Sequence, residues 1–188
     1  FVSESFYECR LKSDPSTSDT RIQLNPDCRL VLKREGIQFV PVEHEDNSQS
    51  SDEEAAVIQG IIGELLKSKL AQRGSERSLT VEDVLVVAPY NLQVKLLKQR
   101  LPVGVAVGTV DKFQGKEAAV VILSICASNL EESSRGIEFL FNPNRLNVAI
   151  SRAKCLAIVV GNPQLALSEA GTVEKMKMVN LFCKIAGT

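Results

Sequence analysis

Two polar clusters in this chain carry residue types that could handle phosphate and sugar groups. The first, TVDKFQGKE, spans residues 109–117 and runs straight into the apolar stretch AAVVILSIC. Within it Thr109 offers a hydroxyl, Gln114 and Glu117 offer acceptors suited to a ribose hydroxyl, and Lys112 and Lys116 offer positive charge. Gly115 lets the backbone turn sharply or approach a ligand closely. The second cluster, NVAISRAK, spans residues 147–154 and runs into CLAIVVGNP. At about 100° per residue, Arg145 and Arg152 fall nearly in line on a helix whose core stripe is Leu146, Ala149, Ile150 and Ala153. The arginines then reach an edge of whatever the helix packs on. An arginine held this way could meet a γ-phosphate supplied from elsewhere, which is worth roughly 10³–10⁵ in the rate of phosphoryl transfer. Two plainer uses stay open: a polar turn ahead of a core strand for the first cluster, and surface ion pairs for both arginines.

The phosphate cradle itself is not encoded here. The loop that holds nucleotide phosphates reads G-x-x-x-x-G-K-[ST]. Six residues separate Gly108 from Gly115, and Glu117 stands where a Ser or Thr must hold magnesium. No other stretch of the chain matches. A bound nucleotide would therefore take its phosphate cradle and its metal from another polypeptide segment. The sequence also lacks a G-x-G-x-x-G fingerprint, a nucleophile elbow and paired His ligands, which argues against a self-contained small-molecule enzyme. His44, the one histidine, reads as a loop or packing residue ahead of a catalytic one. The acidic run Asp52, Glu53 and Glu54 is explained by the positive end of a helix dipole without a metal.

The elements that must position these clusters follow from hydrophobic periodicity. Residues 1–12 suit a short helix, and 13–26 are polar and turn-rich. The run 37–42 (IQFVPV) reads as a strand that Pro41 pushes to an edge. Ser51 opens a helix through a Ser-x-x-Glu capping box with Glu54. Val57, Ile58, Ile61, Ile62, Leu65 and Leu66 continue it at helical spacing; Lys67, Lys69 and Arg73 suit its negative end, and Gly74 stops it. Strands are expected at 84–88, 105–110, 118–126 and 155–160, with 118–126 central and covered on both faces. A helix runs from the Pro89-Tyr90-Asn91 turn to about Arg100, and residues 129–141 form a loop. Asn142 caps another helix with Pro143 in its first turn, and a last amphipathic helix covers 173–185. Strands alternating with helices predict an α/β domain, doubly wound around a mostly parallel sheet of about five strands.

The 188 residues suffice for one domain with a sizeable core. A net charge of -1 excludes a strongly basic nucleic-acid glove while leaving room for a local basic site. The cysteines at 9, 28, 126, 155 and 183 include no C-x-x-C pair, and Cys126 and Cys155 sit inside apolar runs. Core packing in a reducing compartment fits them better than disulfides or metal. No apolar run approaches the ~18 residues of a membrane span, and no signal-peptide pattern opens the chain. The first residue is not Met, which with the missing phosphate cradle suggests a fragment of a longer protein.

Three stretches taken together resemble a known family. VVAPYNLQV (86–94), GTVDKFQGKEAAVVILS (108–124) and RLNVAISRAKCLAIVVGNP (145–163) look like motifs IV, V and VI of superfamily-1 helicases, in the right order. They are most similar to the branch that holds the nonsense-mediated-decay helicase and its DNA-replication relatives. The wording of 39–55 and 107–121 also resembles bacterial proteins that fuse a RecB-like nuclease to such a helicase. The resemblance implies that residues 37–188 are the second RecA-like motor domain (P-loop NTPase-like), with 1–36 continuing from a first one upstream. It implies ATP and Mg2+ bound jointly with that first domain, single-stranded nucleic acid as partner, and a cytosolic or nuclear location with no membrane. By the same resemblance Arg152 is the arginine finger, and Glu117 contacts the ribose or couples nucleotide to strand. Gln114 and Gly115 shape the nucleotide-facing turn. Thr109, Pro89, Tyr90 and Asn91 lie near the strand backbone, and Asp111 and Lys112 could face either the nucleic-acid strand or the nucleotide. Ser151 and Lys154 stand where relatives often have Thr and Arg, keeping the hydroxyl and the charge. The alternative is a module that binds nucleic acid or protein without an ATP cycle.

Overall fold

Four short apolar runs and one edge run pair side by side, because each is too apolar to leave a face in water. The computed structural model describes residues 20–113, 115–129, 142–168 and 171–187. The expected helix at 1–12, the loop residues 13–19 and 130–141, and Gln114 lie outside them. The main sheet comprises β2 (Gly36–Pro41), β5 (Val84–Val87), β6 (Ala106–Gly108), β7 (Ala118–Ser124) and β8 (Ala153–Gly161). Its order is β2-β8-β7-β5-β6, and every pairing is parallel. This is the expected α/β, RecA-like architecture. β7 is central and buried at every position, as its seven-residue apolar run requires. β2, with Pro41, is an edge.

Alternate residues of each strand feed two cores. Val84, Val86, Val120, Ile122, Leu156 and Ile158 face α1 (Asp52–Leu65) and α2 (Asn91–Arg100). Leu85, Val87, Val121, Leu123, Ala157 and Val159 face α3 (Pro143–Ser151) and α4 (Val173–Ala186). α1 buries Ile58, Ile61, Ile62 and Leu65 completely, each worth roughly 1.5–3 kcal/mol. α3 starts as its sequence dictates: Asn142 Oδ1 accepts from the backbone N–H of Asn144 at 3.0 Å and of Arg145 at 3.2 Å, with Pro143 next. α4 is held to β2 by an edge-on contact of Phe182 with Phe39, ring centroids 5.4 Å apart.

The helix expected to run to Gly74 is shorter. It ends at Leu65, and the chain turns into a hairpin, β3 (Lys69–Gln72) and β4 (Ser75–Ser78). Arg73 (φ 51) and Gly74 (φ 77) form its two-residue loop. That left-handed pair matches the right-handed twist of flanking strands, so Gly74 serves a turn and not a helix stop. β3 also pairs antiparallel with β1 (Arg21–Gln23), giving a second, three-stranded sheet. Glu64 anchors the segment after β1: its carboxylate accepts the backbone N–H groups of Arg29 (2.7 Å), Leu30 (3.0 Å) and Val31 (2.8 Å).

Candidate functional site at two edges of the sheet

The stretch 109–117 crosses from one edge of the sheet to the other. It leaves β6 at the C-terminal ends of the strands, where Gly108 pairs in register with Val87. It returns at the N-terminal end of β7, where Ala118 pairs with Ala153 of β8. A 3-10 turn, Val110–Phe113, carries it over the second face, and Phe113 is buried there (3% exposed) among Leu85, Val87 and Leu146. Its two ends are thus separated by the length of β7, roughly 20 Å for seven residues.

The N-terminal edge gathers Gly115, Glu117 and Arg152. Gly115 has φ +82 with open space where a Cβ would lie, so its role is conformational. Arg152 is the C-cap of α3, and its carbonyl accepts the N–H of Ala118 at 3.1 Å, which ties the arginine to the start of β7. Its Nε donates to the Val148 carbonyl at 3.2 Å, holding the half-buried guanidinium against its own helix. Among the described residues Arg152 makes no ion pair. Arg145 does, with Asp111 at 3.8 Å. Of the two arginines in line, the surface-pair use therefore describes Arg145, and Arg152 keeps its charge available.

A bulge shapes the same edge. Between Ala118 and Val120 of β7 the partner strand advances from Ala153 to Leu156, one residue further. Bulges bend a strand and re-aim its side chains. Lys154, inside this one, reaches Glu117 Oε2 at 3.5 Å, both side chains about half exposed. Beside the pair lies a cavity of about 170 Å³ lined by Thr20, Gln72, Arg77 and Ala119 among others. The β3–β4 hairpin forms its far wall, clamped by Arg77, which donates to both carboxylate oxygens of Asp83 at 2.6 and 2.5 Å. Those hydrogen bonds hold the Asp83 carboxyl below its usual range against the opposing effect of burial.

The opposite edge gathers Pro89, Tyr90, Asn91, Thr109 and Lys112. The Ala88 N–H donates to the Gly108 carbonyl at 3.1 Å, setting the Pro89–Asn91 turn beside Thr109. Asn91 and Lys112 are exposed, and Pro89 and Thr109 half-buried. Tyr90 is not on the surface: at 4% exposure it packs with Phe113 in the second core. It is the N-cap of α2 without a side-chain cap, and no acidic residue occupies the first turn. The N–H groups there are left to solvent or to an anion. Asp111, 78% exposed at its side chain, shares the 3-10 turn with Lys112 and pairs with Arg145 of α3.

Sequence reasoning missed a buried polar group next to this second edge. His44 and Glu54 have side chains 0% exposed, with Nε2 3.1 Å from Oε1. His44 Nδ1 lies 2.8 Å from Ser128 Oγ. The row Ser128–His44–Glu54 has the composition of a hydrolytic relay. Ser128 is only 4% exposed, and its oxygen already accepts the Asn47 N–H at 2.9 Å, so the row is sealed in the core. The usable signal was Glu54 itself. In a capping box its side chain returns to Ser51 N–H, but that donor is taken by Gln93 Oε1 at 2.8 Å. Among the described residues no group of three or more His, Cys, Asp or Glu is placed to hold a metal ion, and no helix is long and apolar enough to cross a membrane.

Known proteins bear on this geometry. A family model described as an AAA domain matches residues 1–164. The DNA polymerase alpha-associated DNA helicase A of Schizosaccharomyces pombe is 38% identical over 119 residues, 62% of this chain and 16% of that protein. An uncharacterized ATP-dependent helicase of Methanocaldococcus jannaschii is 28% identical over 181 residues, 88% of this chain and 25% of the relative. The regulator of nonsense transcripts 1 homolog of Drosophila melanogaster is 30% identical over 181 residues, 88% of this chain and 14% of the relative. The chain thus spans 25% or less of the length of these three relatives. The matched span takes in all five strands of the parallel sheet, and the chain belongs to the AAA domain family.

Proposed function

We propose that this chain is the second motor domain of an ATP-dependent superfamily-1 helicase. The observation that carries the reading is the sorting of its polar residues. Arg152 and Glu117 share the N-terminal edge of β7 and β8, while Pro89, Asn91, Thr109 and Lys112 share the C-terminal edge of β5 and β6. One rigid strand, β7, runs between them. A motor needs a nucleotide cleft and a strand track that are separate yet mechanically joined. The relatives named as helicases support the same reading.

The residues at the first edge fit the outer side of an ATP cleft. Arg152, cationic and not ion-paired among the described residues, stands where it can meet a phosphate and offset charge that develops as the phosphoryl group transfers. Glu117 offers carboxylate oxygens to ribose hydroxyls, with Lys154 orienting it. Gly115 sets the turn that brings Glu117 to the edge, and the helicase resemblance assigns the neighbouring Gln114 to the nucleotide as well. The phosphate cradle and the Mg2+ ligands would come from a first RecA-like domain, since no stretch of this sequence matches the phosphate loop. At the other edge, backbone N–H groups at the start of α2, with Thr109 and Lys112, suit the phosphates of a single strand and read no base. Such a protein works in the cytosol or nucleus, and the wording it shares with nuclease–helicase fusions points to a RecB-like nuclease as a further domain.

Strand-stimulated ATP hydrolysis by the full-length protein tests the reading. Arg152→Ala should lower turnover by roughly 10³-fold or more while the circular-dichroism spectrum and melting temperature stay those of the parent. Normal turnover in the folded variant would remove Arg152 from the mechanism. A parent protein that binds single strands but hydrolyses no ATP would favour a binding module instead.

A further inference from the structure

The strand-facing edge is fastened to β7 by a buried carboxylate. Glu54, in the first turn of α1, is fully buried. Its Oε2 accepts the Ser124 hydroxyl at 2.5 Å, and its Oε1 accepts the Cys126 backbone N–H at 2.9 Å. Cys126 has φ +57, a left-handed conformation that is strained for a non-glycine residue and persists only when its surroundings impose it. Here the imposing group is the carboxylate.

The proton arrangement of this network follows from its donors. Ser128 Oγ accepts from Asn47 N–H and lies 2.8 Å from His44 Nδ1. A carboxylate can only accept, so the imidazole donates from Nε2 to Glu54 Oε1. The carboxylate has three donors in all, which is what a charge withdrawn from water requires.

A second arm reaches the strand-facing turn. Gln93, fully buried, is the third residue of α2 and lies three residues past Tyr90. Its Nε2 donates to Ser124 Oγ at 3.0 Å and to the Ser51 carbonyl at 3.2 Å. Ser124 Oγ therefore accepts from Gln93 and donates to Glu54. Backbone pairing alone joins β5 to β7 only as far as Val87–Leu123. Beyond that register, the Gln93–Ser124–Glu54 relay joins the start of α2, just past the Pro89–Asn91 turn, to β7.

The geometry points to Glu54 as a positioning residue for strand engagement, acting through Ser124 and Gln93 on the Pro89–Asn91 turn. Resting on the helicase reading above, it sets how strand binding is coupled to ATP turnover through β7, whose far end bonds to Arg152. A network that served only to hold the core together would change the melting temperature and leave the strand dependence of the folded protein alone.

The test is ATP hydrolysis by the full-length protein, titrated with oligo-dT and with oligo-rU. Ser124→Ala breaks the relay but leaves Glu54 its contacts to Cys126 and His44. Glu54→Gln weakens the acceptor while keeping its shape. In each variant the oligonucleotide concentration for half-maximal stimulation should rise roughly tenfold, the scale of one hydrogen bond to a charged group. The rate at saturating oligonucleotide should stay within about twofold, since the Arg152 edge is untouched. The double variant should be no worse than the worse single one, because both act on one path. Should Glu54→Gln fail to fold, Ser124→Ala carries the test alone. Folded variants with the parental half-saturation, or with loss confined to the saturated rate, would overturn the role of Glu54 while leaving the helicase reading intact. A parent protein without strand-stimulated hydrolysis would overturn both.

Discussion

Replacing Gly108 with alanine probes the turn that launches the 109–117 stretch across the sheet. A Cβ at this position would lie 2.9 Å from Lys112 Cδ and 3.0 and 3.1 Å from Cε2 and Cζ of Phe113. Lysine is exposed and can swing away. Phe113 cannot: its ring is 3% exposed, packed among Leu85, Val87, Leu146 and Ala149. The ring must give by a few tenths of an ångström against a filled core, an overpacking that costs about 1–3 kcal/mol. Alanine recovers ~0.4–1 kcal/mol by restricting the unfolded chain. The net expectation is a loss of about 1–2 kcal/mol, or roughly 2–8 °C in melting temperature for a domain of this size. Urea denaturation of the 188-residue chain reads the first number and calorimetry the second. Phe113→Leu in the same chain should relieve the clash, so the double variant should be more stable than the sum of the two losses by ~1 kcal/mol. A Gly108→Ala chain as stable as the parent, or strictly additive losses, would refute the claim that the ring clamps the turn. Because Thr109 and Lys112 ride on that turn, strand binding by the full-length protein should weaken in step with the loss.

Two further outcomes can be read on the isolated chain. Burial opposes ionisation of Glu64, but the N–H groups of Arg29, Val31 and Leu30 outweigh it and hold the carboxyl below its ordinary value of 4.5. A folded value lowered in this way stabilises the chain above the ordinary value, and the contribution is lost as pH falls from there through the folded value. Glu64→Gln should therefore cost ~1.5–3 kcal/mol near neutral pH and progressively less in acid; a pH-independent difference in urea midpoints would contradict this. Burial pushes the Cys155 thiol up to about 11, with the Glu35 charge adding to it, and pushes Cys126 well above its usual value. Both should react with maleimide at pH 8 far more slowly in the native chain than in urea, because the thiolate is the nucleophile. Equal rates in the two states, followed by mass spectrometry of the labelled peptides, would contradict their burial.

The outline of this protein was legible because its signals are local. Alternating apolar runs and helical stripes announced the α/β domain. Pro41 marked an edge strand, the apolar run 118–126 marked the central one, and Asn142-Pro143 marked a helix start. The cluster residues Glu117 and Arg152 could be named from type and spacing, and the structure brings them to one edge. The corrected helix end has a long-range cause. Lys69 to Gly74 fit a helix end as well as a hairpin, and the decision came from pairing with β1, some 48 residues earlier between Ile22 and Leu70. Tyr90 stands in the Pro89–Asn91 turn, and only the packed fold shows it covered by Phe113 and the second core.

By itself, then, the sequence determined the strands of the parallel sheet and the helices that cover it, which residue types can handle phosphate, and that no stretch of this chain matches the phosphate loop. The tertiary structure alone decided that those residues divide between opposite edges, that Arg145 is ion-paired while Arg152, among the described residues, is not, and that Glu54 faces the end of β7. The physical reason is range. Caps, turns and hydrophobic periods act over a few residues, whereas strand order and buried partners join positions far apart, such as Glu54 and Cys126 at a separation of 72 residues. Periodicity says that a side chain is buried, and only the packed fold says against what.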